Sequence, residues 1–269
     1  MFIVWGKKIV RRGCGFVADF CPICRTARPF SIERVGSASH VYYLSFGEGD
    51  LLGHERTCTE CRTPMRAEPS NYLAMAKKRL PLPQLVAQTF PNLREAQHQR
   101  FALEARIRTD LGSLSRDDRT ALIHGPFLLL SPKLDRRFER THIDLPLAAA
   151  IGAGLGLLIT GPALLHRAFP DQEGALFLTF GLLGLALIVW AGIQSGRRFV
   201  RTEVLPQLVR ALHPLKPDER EVQQALTALR THGHRIGRRV KAADVMAGLA
   251  SHQPEPPPAE FVLPESRVV

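Results

Sequence analysis

The sequence predicts an α+β membrane protein: an N-terminal antiparallel β module, a helical middle, a two-helix transmembrane hairpin, a C-terminal helical hairpin and a disordered tail. Three observations lead there. Two apolar runs, Leu145 to Leu165 and Ala175 to Ser195, contain no Asp, Glu, Lys, Arg or His, and each has the roughly 20 residues that a helix needs to cross about 30 Å of hydrocarbon. Near the N-terminus, two C-x2-C pairs are set among β-branched and aromatic runs punctuated by glycine. Elsewhere apolar residues recur at helical spacing between prolines and glycines. The expected divisions are residues 1–69, 70–144, 145–196, 197–252 and 253–269, with the spans at 145–165 and 175–195.

The N-terminal module follows from its strands. Phe2 to Val10 reads as a strand ending in the basic turn Arg11-Arg12-Gly13, and Pro29 to Val35, His40 to Phe46 and Leu51 to Thr57 read as three more. Cys21 and Cys24 form one tight knuckle, Cys58 and Cys61 the other. Antiparallel strands that bring two such knuckles together complete a closed tetrahedral S4 site, so the spacing predicts a zinc ribbon holding one structural Zn2+ through Cys21, Cys24, Cys58 and Cys61. A closed site leaves no open position for substrate. A disulfide framework and a thioredoxin-like role for Cys21 and Cys24 are the competing chemistries; the second requires a βαβ setting that the pattern lacks. Cys14, between Gly13 and Gly15, has no C-x2-C partner and reads as a spare thiol, with a substitute ligand or reactive thiol as alternatives. His40 and His54 read as ordinary strand or loop residues.

The segments Phe2 to Lys8, Gly15 to Cys24, His40 to Tyr43 and Gly53 to Cys61 together resemble a family of bacterial zinc-ribbon proteins, several of which continue into membrane segments. The resemblance covers approximately residues 2–65. It implies a bacterial origin and zinc on the same four cysteines, and it implies no catalytic activity.

In the middle segment, Pro81 and Pro83 permit a short helix through Phe90, and Pro91 sits where the next helix starts. There Leu93, Ala96, Leu103, Ile107 and Leu111 share an arc, and Glu104 is placed to pair with Arg108. Ser115 to Asp118 is a capping-box variant opening a helix through His124, which Gly125-Pro126 is expected to end. Asp117, Asp118 and His124 read as a cap and a helix end rather than as acid/base catalysts. Pro132 to Asp144 reads as a basic helix on the membrane surface. The clusters Lys77-Lys78-Arg79 and Arg136-Arg137 read first as solvated or lipid-facing, and second as nucleic-acid contacts.

The hairpin's orientation comes from its flanks. Lys133, Arg136, Arg137 and Arg140 precede it, Arg197, Arg198 and Arg201 follow it, and the link carries Arg167 against Asp171 and Glu173. The positive-inside rule then puts both termini in the cytoplasm. The apolar run at the N-terminus is too short for a signal peptide, which agrees. Ala148, Gly152 and Gly156 form a small-residue stripe, and Gly192 and Gly196 repeat its spacing. The stripe is expected to join the two helices of the hairpin, or else two subunits. A soluble buried-core hairpin is the alternative to the spans.

Beyond the hairpin, Arg197 to Leu212 is expected to continue the second span, bent or interrupted at Pro206. Pro217 opens a soluble helix whose Asp218, Glu219 and Glu221 favour its N-terminal dipole, with Gly233 as its C-terminal cap. A second helix, Lys241 to Ala250, follows a basic connection containing His232 and His234. This two-helix unit reads as an αα-hairpin, with a DNA-binding helix-turn-helix as the rarer outcome. Gln253 onward is Pro-rich and reads as an extended tail.

The net charge of +11 is largest around the hairpin and suits anionic lipid headgroups at least as well as nucleic acid. The expected function is therefore that of a non-enzymatic protein of the bacterial cytoplasmic membrane, presenting a structural zinc ribbon to an unidentified protein partner. Its other partner is the lipid bilayer. A membrane-tethered nucleic-acid-binding regulator is the first alternative, and a redox or metal-handling protein the second. The sequence does not specify an oligomeric state.

Overall fold

The computed structural model describes residues 5–41, 44–45, 47–139, 144–165 and 173–252. Arg140, residues 166–172 of the link between the apolar runs, with Arg167 and Asp171 among them, and the Pro-rich tail at 253–269 lie outside the described residues.

The N-terminal quarter is an antiparallel sheet built from β1 (Trp5–Cys21), β2 (Thr26–Val41), β3 (Leu44–Ser45), β4 (Asp50–Cys58) and β5 (Pro64–Ala67). The spatial order is β1-β2-β4-β5, with β3 on β2. The expected turn at Arg11-Arg12-Gly13 is instead the middle of β1. That strand runs on because its arginines find carboxylates across the sheet: Arg11 lies 2.5 Å from Glu55 and Arg12 3.1 Å from Glu48. Cys14 is the extra residue of a bulge between Gly13 and Gly15. Gly15, at φ +143°, lets the strand bridge to Ala76 in both directions, where a Cβ would lie 2.7 Å from the Ala76 carbonyl oxygen. Similarly, Gly36 does not end a strand but shifts the β2-β4 register within one. The pattern missed β5, whose Pro64 is tolerated because the strand lies at the sheet edge.

Helices then cover the sheet and one another: α1 (Leu82–Thr89), α2 (Leu93–Ala96), α3 (His98–Thr109) and α4 (Arg116–Glu139). Ser115 caps α4 by accepting the Asp118 N–H at 3.0 Å. Contrary to expectation, α4 passes straight through Gly125-Pro126 and Pro132. Each internal proline costs about 3 kcal/mol, yet Ile123, Phe127, Leu130 and Leu134 form one buried stripe, each 2% exposed or less. Burying such side chains recovers about 1.5–3 kcal/mol apiece. The separate basic helix from Pro132 is accordingly the last two turns of α4.

The apolar runs become α5 (Leu145–Leu165) and α6 (Glu173–Phe199), both long and apolar enough to cross a membrane. Only 17% and 11% of their most apolar stretches are buried. They cross through glycines, but not those of the expected stripe. A Cβ on Gly184 would lie 2.7 Å from the Gly154 carbonyl oxygen, and one on Gly161 would strike the Phe180 ring, whereas Gly152 and Gly156 face open space. Gly192 faces open space too, and Gly196 lies under Phe138 of α4.

After α6 the chain makes a π turn, Val200–Val204, and continues as α7 (Leu205–Leu212) with Pro206 in its first turn. The missing Pro206 N–H is absorbed there as a wide turn rather than a break. The chain ends in α8 (Glu219–Thr231), α9 (Ile236–Arg239) and α10 (Ala242–Ser251). A full capping box starts α8: Asp218 accepts the Glu221 N–H at 2.7 Å and Glu221 accepts the Asp218 N–H at 2.9 Å. The basic connection is not an open turn, since it contains α9, whose Ile236 is buried and whose Gly237 packs on the α8 backbone. One apolar core runs from Val17, Phe30 and Ile32 of the sheet through Leu93 and Leu130 to Leu208, Leu212, Leu226 and Val245.

Candidate metal centre

Two β-hairpins supply the centre. The β1-β2 hairpin turns at Cys21-Pro-Ile-Cys24-Arg25 and the β4-β5 hairpin at Cys58-Thr-Glu-Cys61-Arg62. Each turn closes in the same way. The Arg25 N–H donates to the Cys21 carbonyl at 2.6 Å, and the Arg62 N–H donates to the Cys58 carbonyl at 2.9 Å. Both arginines are left-handed, at φ 58° and 53°. Pairing of Phe30 with Cys58 sets the two turns side by side, and the Thr59 N–H donates to the Pro29 carbonyl at 3.0 Å.

The sequence-predicted ligands are thereby brought together. The Sγ atoms of Cys21, Cys24, Cys58 and Cys61 all lie within 4.8 Å of one another. Cys21 and Cys61 approach to 3.6 Å, Cys24 and Cys58 to 4.0 Å. Cys21, Cys58 and Cys61 are buried and Cys24 half-buried. Such a group can hold a metal ion. The protons of these crowded thiols are unevenly held. Hydrogen bonding to Cys24 and then Cys58 pushes Cys21 above the ordinary thiol value. At Cys24 the bond to Cys21 pulls down, but those to Cys58 and Cys61, with burial, push it up overall. Cys58 and Cys61 are held below the ordinary value, in each case first by hydrogen bonding to Cys21. A cation among the four sulfurs would favour the thiolate form at every one.

The other sequence candidates fall elsewhere. Cys14 is exposed in the β1 bulge, its Sγ 3.7 Å from the Arg12 carbonyl oxygen. His40 and His54 lie on β2 and β4, outside the sulfur cluster. Asp117 and Asp118 stand exposed in the first turn of α4, and His124 is held below the ordinary imidazole value by burial and then by His232.

What sequence spacing did not reveal is how the helices grip the knuckles. Arg25 is 7% exposed; its Nε donates to Glu104 of α3 at 2.7 Å and its Nη1 to the Ala211 carbonyl of α7 at 2.8 Å. Glu104 thus turns inward to Arg25 instead of pairing with Arg108. From α7, Gln207 donates to the Cys61 carbonyl at 2.6 Å and accepts from the Thr63 hydroxyl at 3.2 Å. Each knuckle also has a carboxylate on the strand that feeds it. Asp19 on β1 pairs with Arg56 and accepts from the Tyr72 hydroxyl at 2.7 Å, while Glu55 on β4 lies 2.7 Å from Arg136 of α4. A polar chain fastens the apolar helices at the same end: Arg137 donates to the Ser195 hydroxyl at 2.8 Å, and that hydroxyl donates to Asp144 at 2.7 Å.

Compared with protein-family models, with curated proteins and with solved structures, the chain has no match.

Proposed function

We propose that this is a non-enzymatic protein anchored in the bacterial cytoplasmic membrane by α5 and α6, which holds a structural zinc ribbon rigidly at the membrane face for recognition by another protein. The observation that carries the reading is the joint between the two parts. The thiol cluster is gripped by Arg25 and Gln207, and both of those contacts involve α7, the direct continuation of the second apolar helix.

Zinc fits the donor set. With Zn–S bonds of about 2.3 Å, tetrahedral sulfurs lie about 3.8 Å apart, and the separations of 3.6 and 4.0 Å straddle that value. Four protein ligands leave no position for a reacting water, which supports a structural rather than a catalytic ion. Membrane anchoring is supported by the exposure of the apolar helices: Ile159, Leu164, Leu178 and Trp190 are each 60% exposed or more, and side chains of that kind in a water-soluble hairpin would form an apolar patch of the kind that seeks a partner. Lys133, Arg136 and Arg137 before α5, with Arg197, Arg198 and Arg201 after α6, support cytoplasmic placement of both flanks.

The test is elemental analysis of the purified full chain beside a Cys21→Ser, Cys58→Ser double variant, after fractionation of membranes. About one zinc per chain is expected in the native protein and none in the variant. Both proteins should resist extraction from membranes by alkaline carbonate. Native protein without zinc, or native protein released into the soluble fraction, would overturn the corresponding half of the proposal.

A further inference from the structure

Where the end of α4, the residue before α5, the end of α6 and the second knuckle meet, they line an open cavity of about 700 Å³. Its cations come from three separate elements: Arg62 from the knuckle, Lys133, Arg136 and Arg137 from α4, and Arg198 from α6, with Phe199 as an apolar wall. Asp144 and Glu203 are the carboxylates in its lining. The pairing leaves a surplus. Lys133 is 3.0 Å from Glu203, Arg136 is taken by Glu55, and Arg137 lies 3.8 Å from Asp144 while stacking on the Phe199 ring. Arg62 and Arg198 form no ion pair among the described residues, though Arg198 attracts Asp144 at longer range. Both are exposed to incoming ligand.

The depth of the cavity is set by its own lining. Asp144 immediately precedes α5, and Ser195 and Arg198 close the apolar part of α6. On the membrane reading proposed above, which this inference rests on, the cavity lies at headgroup level on the side of the flanking basic residues. Guanidinium groups bind phosphate oxygens in a bidentate fashion, and basic pockets at the cytoplasmic ends of membrane helices suit anionic headgroups.

We infer that this cavity binds the phosphate of an anionic phospholipid, with Arg62 and Arg198 as its direct ligands, the remaining cations as a supporting field and Phe199 against the glycerol and upper acyl carbons. The consequence is that the second knuckle reads the bilayer surface directly. Arg62 belongs to the same turn as Cys58 and Cys61, so a bound headgroup bridges the metal-centre turn to α6.

The experiment reconstitutes the full chain into vesicles of phosphatidylcholine alone, or of phosphatidylcholine with a minor fraction of phosphatidylglycerol. The chain is then re-extracted, and retained lipid is counted by native mass spectrometry. Wild type is expected to retain phosphatidylglycerol over phosphatidylcholine by about tenfold. An R62Q/R198Q variant is expected to lose that preference while keeping its metal and its insertion. The equally charge-reduced R220Q/R238Q variant, with both changes at exposed helix positions away from the cavity, is expected to keep it. Retention unchanged in R62Q/R198Q, or lost equally in both variants, overturns the site. Displacement of the lipid by soluble glycerol 3-phosphate at modest excess overturns the lipid as the source of the phosphate. Failure of the wild type to float with phosphatidylcholine vesicles removes the membrane reading and this inference together, whereas flotation without lipid preference removes this inference alone.

Discussion

The turn at residues 21–25 and the turn at 58–62 close with the same hydrogen bond and end with the same residue type in the same left-handed conformation, yet their arginines go to opposite environments. Arg25 is buried between α3 and α7, with its charge matched by Glu104. Arg62 is exposed and lines the basic cavity. A left-handed arginine costs about 1 kcal/mol relative to glycine. At the first turn a buried ion pair and a carbonyl contact to α7 offset that cost, and at the second the Arg62 side chain makes no such contact among the described residues. The difference teaches that the sulfur geometry is local to the turns, whereas the turns' connection to the helices is made by residues that ligate nothing.

The largest expected effect erases the difference between the turns. Replacing Cys21 and Cys24 by serine, or Cys58 and Cys61, should abolish metal binding equally, because a structural zinc site contributes about 10 kcal/mol or more of folding free energy and half a ligand set retains little of it. Metal content and protease resistance of the N-terminal sheet would report this; a variant of either pair that keeps stoichiometric zinc would refute a shared four-sulfur site.

Next comes the contrast itself. Arg25→Ala should destabilise by about 3–5 kcal/mol, since it leaves Glu104 buried and uncompensated, while Arg62→Ala should stay within about 0.5 kcal/mol. Denaturant unfolding of the two variants in the same detergent measures both. Adding Glu104→Ala to Arg25→Ala should recover part of the loss, and no recovery would mean that the Ala211 carbonyl contact dominates.

A smaller effect is expected from Gln207→Ala, about 1–3 kcal/mol, for the lost donor to the Cys61 carbonyl. It should appear chiefly as faster zinc loss to a chelator, because the second knuckle is the one released. Equal chelation rates for the variant and the native protein would place the grip elsewhere.

The smallest effect concerns acid. Burial pushes the Glu55 carboxyl upward, but Arg136 and then Arg11 overcome it and hold it below the ordinary carboxylate value. A folded-state value below the unfolded one means that this group's contribution is complete above the unfolded value and is lost as pH falls through the folded one. The slope of stability against pH on the acid side should therefore flatten in Glu55→Gln. An unchanged slope would show that Glu55 is not a contributor.

The cysteine cluster and the two apolar helices were legible in the sequence because each rests on a local signal: a three-residue spacing repeated once, and uncharged runs of membrane length. The path of α4 was not, since Gly125-Pro126 is a stop signal by every local rule, and only the stripe from Ile123 to Leu134 packed in the core outweighs it. Glu104 illustrates the same limit. Its neighbour Arg108 is the local partner, and Arg25, 79 positions away, is the actual one. Nor could the glycine stripe be phased from sequence: Gly152 and Gly154 lie two residues apart on one helix, and only the crossing of α5 with α6 decides which of them is covered.

The wide turn at Val200–Val204 acts as a phase shifter. Each residue of an α-helix advances the azimuth by about 100°, so accommodating one extra residue in a turn rotates everything beyond it by about that angle relative to an uninterrupted helix. Upstream of the turn, Leu182, Leu185, Val189 and Ile193 look outward; downstream, Leu208, Ala211 and Leu212 look into the core, and Gln207 meets Cys61. Regular α-helical winding of all five residues from Val200 to Val204 would turn every side chain of α7 by about 100° and take Gln207 away from Cys61, whereas deleting one residue of the wide turn would leave an ordinary helix with α7 aimed as it is now.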